Sequence, residues 1–226
     1  MSIIEDLPHR RNEAWKWTDL RGKVTDKLSG LSAALTPQLD APDGVTVTLG
    51  TGEANDSAMA KIAQTFANEV LTLHVAKGVV VSEPVVLSEL TRGHARIALT
   101  LEDGASLTVI EHHRGQEGGF ANLDLQVSLA KDAQLTRVIV QDDPKDALRV
   151  STASVTQKDG SRFNQFMLSF GGALTRLETQ LSVEGEGCTA TLNGAYLLDG
   201  DRHTDCLLYT SPSPRDQRGS RMPSSA

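Results

Sequence analysis

Two cysteines, a 4% aromatic content and no long apolar run are what this 226-residue sequence has least of. Cys188 and Cys206 form no CxxC pair and supply at most half of a four-ligand zinc site, and two thiols make an improbable disulfide framework. With so few aromatics, a core must be built from Leu, Val, Ile and Ala. No stretch reaches the ~18 apolar residues of a membrane span. The opening MSIIEDLPHRRNEAW has early acids and no apolar segment of signal-peptide length, so the expectation is a soluble cytoplasmic protein. A net charge of -7 argues against a polyanionic partner such as DNA or RNA, which clustered Lys and Arg recognise.

The 39% hydrophobic and 23% charged content is ordinary globular usage and excludes a disordered chain. The end differs. From Cys206 the sequence reads CLLYTSPSPRDQRGSRMPSSA, with three of the eight prolines and no Val or Ile. It carries a net +2 and leaves -9 on residues 1–205. Such a Ser/Pro/Arg stretch buries too little apolar surface to offset its ordering entropy. It looks like translated adapter read-through at the end of an assembled fragment, which puts the end of the natural sequence near Asp205. Residues 206–226 are therefore expected to be a disordered, non-native tail.

Residues 1–70 read as a helical region. Between 12 and 35, Trp17, Leu20, Val24, Leu28, Leu31 and Leu35 recur in steps of three and four, an amphipathic stripe that Gly22 and Gly30 weaken. Residues 36–44 read as a loop. Asp56-Ser57 offers an N-cap to a helix burying Met59, Ile62, Ala63, Phe66 and Val70. After Val70 the period becomes two: Leu71/Leu73/Val75, Ile97/Leu99/Leu101, Leu123/Leu125/Val127/Leu129 and Leu177/Leu181/Val183 mark half-buried strands. Nothing from 71 to 205 reads as another helix, which requires a sandwich, a barrel or a solenoid.

A degenerate repeat bears on that choice. LTLEDGASLTV, VSLAKDAQLTR, SVTQKDGSRFN and LSVEGEGCTAT each read strand, polar corner, small residue, strand. Their small residues, Ala105, Ala133, Ser161 and Cys188, are spaced by 28, 28 and 27, with Val79 a further 26 before Ala105. A period in the 20s indicates one supersecondary unit stacked on copies of itself. With no helix in the unit this is a β-helix over residues 71–205; a double-sheet jelly roll is the alternative.

No catalytic, cofactor-binding or metal-binding constellation emerges. In Glu111-His112-His113-Arg114, adjacent residues point to opposite faces of a strand, so the two histidines cannot chelate one metal; they read as an exposed strand-end pair. His74 falls in a strand and His94 in a loop. Gly118-Gly119 and Gly171-Gly172 are turn glycines outside any phosphate loop, and there is no GxSxG. Glu102-Asp103 and Asp142-Asp143 read as solvated corner pairs, and Cys188 as a packed thiol.

Taken together, these segments resemble the SufB/SufD family of the Suf iron–sulfur cluster assembly system. The resemblance rests on RRNEAWKWTDL (10–20), DSAMAKIAQTFANEVLTLHVAKGVVVSEPVVL (56–87), LEDGASLTVIEHHRG (101–115), FANLDLQVSLAKDAQLTRVIVQ (120–141) and LTRLETQLSVEGEGCTATLNGAYL (174–197). The short run before the first strands places it on the SufD side. What the resemblance implies is a right-handed parallel β-helix after a small helical region. It also implies a non-enzymatic scaffold that pairs with SufB and holds the SufC ATPase, with an iron–sulfur cluster bound transiently by the full complex and no cofactor by this stretch. The family's cluster-related Cys and His and its SufC-docking helices are expected beyond Asp205; Cys188 and His203 do not match those motifs. The competing reading is a β-helix acting on polysaccharide, or a cupin-like metalloprotein, which would need convergent acids or a His-x-His with Glu.

Overall fold

Thirteen strands and a few short helices follow one another in the computed structural model, which describes residues 3–25 and 27–211. Helices α1 (Ile3–Asp6), α2 (Leu20–Lys23) and α3 (Ala58–Phe66) and a 3-10 turn at Glu13–Trp15 lie in the first 70 residues. Strands β1 (Gln38–Asp40) and β2 (Val45–Gly50) lie there too. From residue 70 the chain alternates between two sheets. One contains β3 (Val70–Val75), β5 (Gly93–Leu101), β7 (Phe120–Leu129), β9 (Leu148–Gln157), β11 (Leu174–Val183) and β13 (Thr204–Ser211). The other contains β4 (Val85–Ser88), β6 (Ser106–His113), β8 (Gln134–Gln141), β10 (Arg162–Ser169) and β12 (Thr189–Tyr196). Within each sheet these strands are parallel neighbours, so each coil of the chain lies on the coil before it. This is a parallel β-helix, and the jelly-roll alternative is excluded. At its N-terminal end β1 and β2 pair antiparallel with β4 and β3, occupying both edges of the first coil.

The repeat read from the sequence is the coil itself. Ser106, Gln134, Arg162 and Thr189 are register partners, so Ala105, Ala133, Ser161 and Cys188 stack in one column. An isolated bridge between Val80 and Ser106 puts Val79 beside Ala105. The residue before each of these, Gly78, Gly104, Asp132, Gly160 and Gly187, has a positive φ. Glycine enters the left-handed region without a Cβ clash, and Asp tolerates it. At these corners Gly104 N–H donates to the Lys131 carbonyl at 2.8 Å and Asp132 N–H to that of Asp159 at 2.8 Å, tying one coil to the next.

Between the sheets, the inward residues form columns of like on like. Leu73, Leu99, Val127, Val155 and Leu181 are one, and Leu107, Leu135 and Phe163 face them from the other sheet. Helix α3 starts where expected, with Ser57 Oγ accepting from Ala60 N–H at 3.1 Å, and packs Met59 and Ile62 on the outer face of the β3-containing sheet, but it stops at Phe66, and Val70, expected on its buried face, opens β3.

The expected amphipathic helix over 12–35 does not form. Among the described residues of that span only Leu20–Lys23 is α-helical, and Trp17 is exposed. Leu20 and Val24 pack instead against Phe120, Leu148 and Val150 on the outer face of the sheet. The chain then runs beside the coils through bridges of Ser29 to Gly119 and Ala34 to His94. Gly30, at φ +93°, permits this: a Cβ there would come within 2.7 Å of Gly93 N and the Phe120 carbonyl. Residues 38–40, read as loop, form β1. At the other end, residues 206–211, read as part of a structureless tail, continue β13 along the open edge of β11; residues 212–226 lie outside the described residues.

The column rule predicts that Ala133→Leu, which forces a large side chain between Ala105 and Ser161, destabilises by about 1–3 kcal/mol. Gly104→Val, which puts a β-branched residue at φ +67°, is expected to cost at least the ~1–2 kcal/mol of a left-handed L-residue. Urea unfolding followed by circular dichroism measures both.

Candidate functional site: the polar interior of the later coils

Strand parity puts Glu111 and His113 of β6 inside the solenoid and leaves His112 outside, so the expected exposed pair is half wrong: His113 is fully buried. One coil on, the inward positions of β8 are Leu135, Arg137, Ile139 and Gln141, and two coils on Phe163, Gln165, Met167 and Ser169. Arg137 spans three coils. Its Nε and Nη2 donate to the two carboxylate oxygens of Glu111 at 2.5 and 2.9 Å, and its Nη1 donates to Gln165 Oε1 at 3.0 Å. Gln165 in turn donates to Thr179 Oγ1 across the interior at 3.1 Å, and the His113 ring Nε2 lies 2.8 Å from Glu111 Oε2.

A second network closes the neighbouring corner. Asp143, expected in a solvated turn, is buried; Arg149 donates to both of its oxygens at 2.7 Å and to the Leu90 carbonyl at 2.7 Å. Gln141 donates to Asp143 Oδ2 at 2.7 Å and to the Gly171 carbonyl at 3.0 Å, and its own oxygen accepts from Ser169 and from Gly171 N–H. On the outer face, Arg176 is stacked 3.9 Å from the Trp15 ring and paired with Glu178 and Asp205, so the Trp15 segment is clamped on the later coils.

Each of these buried arginines meets a carboxylate, and this fixes protonation. Burial pushes the Glu111 carboxyl up, but the Arg137 charge and the hydrogen bonds from His113 and Arg137 outweigh it and bring it to about 2, from an ordinary 4.5. Burial likewise opposes, and Arg149 overrides, in holding Asp143 low. His113 goes the other way: burial lowers its pKa, and the Glu111 hydrogen bond only partly restores it. His94, expected in a loop, lies in β5, buried, its ring stacked on Phe66 and bonded to the Leu31 carbonyl; burial lowers its pKa too.

Toward the last coils the interior widens into a cavity of about 280 Å³ with Arg137, Gln165, Met167, Thr179 and Leu192 in its wall. Since Glu111 neutralises Arg137, this cavity offers hydrogen-bonding groups rather than net charge. Of the positions singled out from the sequence, Cys206 stands in its wall, where burial pushes the thiol up to about 11; those that follow stay apart from it. His74 meets Glu102 at the surface, Cys188 donates to the Lys158 carbonyl in its coil corner, and Asp205 is held by Arg176 and Thr18. No group of three or more His, Cys, Asp or Glu able to hold a metal is found among the described residues. The residues that reading the sequence missed are Arg137, Arg149 and Asp143; for Arg137 the available signal was its inward parity between Leu135 and Ile139.

Comparison with known proteins agrees with this architecture. The family described as SUF system FeS cluster assembly, SufBD core domain, matches residues 86–211, that is, the coils from β4 to β13. The iron-sulfur cluster assembly protein SufD of Escherichia coli K12 is 23% identical over 232 residues, covering 83% of this chain and 55% of that protein. An iron-sulfur cluster assembly SufBD family protein of Mycobacterium bovis is 25% identical, covering 93% and 56%, and one of Synechocystis 21%, covering 88% and 58%. The chain thus spans a little over half the length of the curated relatives it matches.

Two outcomes follow from the buried charges. Arg137→Met alone, leaving Glu111 unpaired, is expected to cost about 3–5 kcal/mol, and adding Glu111→Leu to recover most of it; a double-mutant cycle in urea measures the coupling. Folded His113 and His94 stay neutral where the unfolded chain binds protons, so stability falls as pH drops below about 6.5, by at most ~1.4 kcal/mol per pH unit for each proton. Glu111 adds a further loss between pH 4.5 and about 2. The unfolding midpoint from pH 7.5 to 5.5 should fall in the native chain and flatten in His94→Gln/His113→Gln.

Proposed function

The chain belongs to the SufBD core family of the SUF system of FeS cluster assembly, and from that premise we propose that it serves as a non-catalytic scaffold subunit, on the SufD side, of a SufB–SufC–SufD complex in the cytoplasm. The observation that carries this reading is the coincidence of the family match at 86–211 with the stacked coils themselves. The family's defining stretch is the solenoid body and not an added catalytic loop. The likeness to the E. coli protein named SufD supports the SufD side. The iron–sulfur cluster is then cargo, assembled by the complex and held transiently.

The electrostatics favour a scaffold over the polysaccharide-active or cupin-like alternative. An acid catalyst or metal ligand needs a carboxylate free to meet substrate or metal, whereas Glu111 and Asp143 are committed to Arg137 and Arg149. A solenoid acts on partners through its faces. The outer face of the β4-containing sheet has a column of Ile110, Val138 and Phe166, the last 46% exposed, an apolar strip suited to a protein partner. No described helix is long and apolar enough to cross a membrane.

Co-expressed with SufB and SufC of its own genome, the affinity-tagged chain is expected to retain SufB. Phe166→Asp is expected to weaken that retention at least tenfold without loss of β-sheet signal. A correctly folded chain that elutes free of SufB, or that releases sugar from polysaccharide, contradicts the proposal.

A further inference from the structure

Another buried cation, on the outer face of the β3-containing sheet, has a carboxylate nearby but no hydrogen bond to it. Arg96 of β5 is 3% exposed and stands in register with Asp124 of β7 and, beyond it, Thr152 of β9. Its Nη2 donates to the Gly52 carbonyl at 2.7 Å, whereas its Nε is buried without a hydrogen-bond partner. The nearest acid is Asp124, 3.9 Å from Nε and outside hydrogen-bond reach. Asp124 already accepts from Asn55 at 2.9 Å and Gln126 at 3.3 Å; burial raises its pKa, against the Gln126 hydrogen bond and the Arg96 charge. A guanidinium remains charged in any protein environment and carries five donors in a rigid fork. Leaving such donors unmatched out of water is unfavourable, and the fork is shaped for a carboxylate.

Arg96 forms the polar wall of a cavity of about 280 Å³ between residues 34–37, β2, the end of α3 and β3. The walls around it include Leu35, Leu49, Phe66 and Leu71, with Leu49 and Leu71 cross-strand partners. A phosphate or sulfate requires several converging donors in a polar setting. A mostly apolar lining with one guanidinium, and with Thr36 and Asn68 beside it, suits an organic acid instead. Glu69, an exposed residue of the lining, adds a negative charge that disfavours a dianion.

We propose that this cavity binds a small monocarboxylate with an apolar body, the carboxylate held by the Arg96 guanidinium and the body packed among Leu35, Leu49, Phe66 and Leu71. The site lies at the N-terminal end of the coils, where Arg96 of the outer face and Leu71 of the interior core both reach the cavity, and is independent of the scaffold reading.

Fluorine NMR titration of 4-fluorobenzoate against the 226-residue chain tests it, with neutral 4-fluorobenzamide as the isosteric control. The expected result is saturable binding of the acid, at least tenfold weaker binding of the amide, and at least a tenfold loss for the acid in Arg96→Gln. Leu49→Asp is expected to give the same loss; Leu49 is 54% exposed, so this variant keeps its fold and decides the matter if Arg96→Gln does not. Absence of saturable binding to the native chain, equal affinity for acid and amide, or undiminished binding in folded Leu49→Asp overturns the proposal.

Discussion

In-register stacking of each coil on the one before it is the constraint from which the rest of this structure follows. A residue inside a parallel solenoid has as its nearest neighbours the residues one coil earlier and one coil later, so a column must be tolerable to itself. Aliphatic side chains satisfy this by stacking, as Leu99, Val127 and Val155 do. Small residues satisfy it where coils turn, as Ala105, Ala133 and Ser161 do, and each is preceded by a residue able to take a positive φ. A charge satisfies it only if the next coil supplies the opposite charge, and Glu111 beneath Arg137 meets that condition. The same rule explains why Arg137 reaches Gln165 on its far side: the guanidinium needs acceptors on both neighbouring coils.

Much of this was legible in the sequence because a solenoid writes its register as a spacing. The steps of 28, 28 and 27 between the small residues are the coil lengths, and the period-two runs of aliphatics are the inward faces. What escaped depended on contacts between distant residues. The stripe of Leu20, Val24 and Leu28 is spaced as in a helix, yet these side chains pack on the outer face of a sheet whose Phe120 and Leu148 are about a hundred residues away in sequence. Local periodicity cannot distinguish those two origins. His113 and Asp143 read as surface residues because a lone polar or charged group resists burial; the partners that permit it, Glu111 for His113 and Arg149 for Asp143, lie close in sequence, but that they turn inward together is set by the fold. Arg96 lay unremarked in a strand for the same reason.

The two classes of buried charge divide the molecule by role. Inside the later coils Arg137 and Arg149 are each paired with a carboxylate, so the buried charges there balance. On the outer surfaces the pairing is uneven: Arg176 meets Glu178 and Asp205, Arg96 has no hydrogen-bonded carboxylate, and the strip through Ile110, Val138 and Phe166 lacks full cover. The packing of the N-terminal segment, anchored by His94 against Phe66 and by Trp15 on Arg176, already shows how one face is read by another piece of chain.

Methyl-to-methyl nuclear Overhauser contacts in the labelled chain test the stacked register most directly. Parallel stacking predicts contacts of Leu99 with Val127, of Val127 with Val155 and of Val155 with Leu181, all running in the same chain direction. Contacts that instead rise along one strand while falling along its neighbour, as antiparallel layers require, would contradict it.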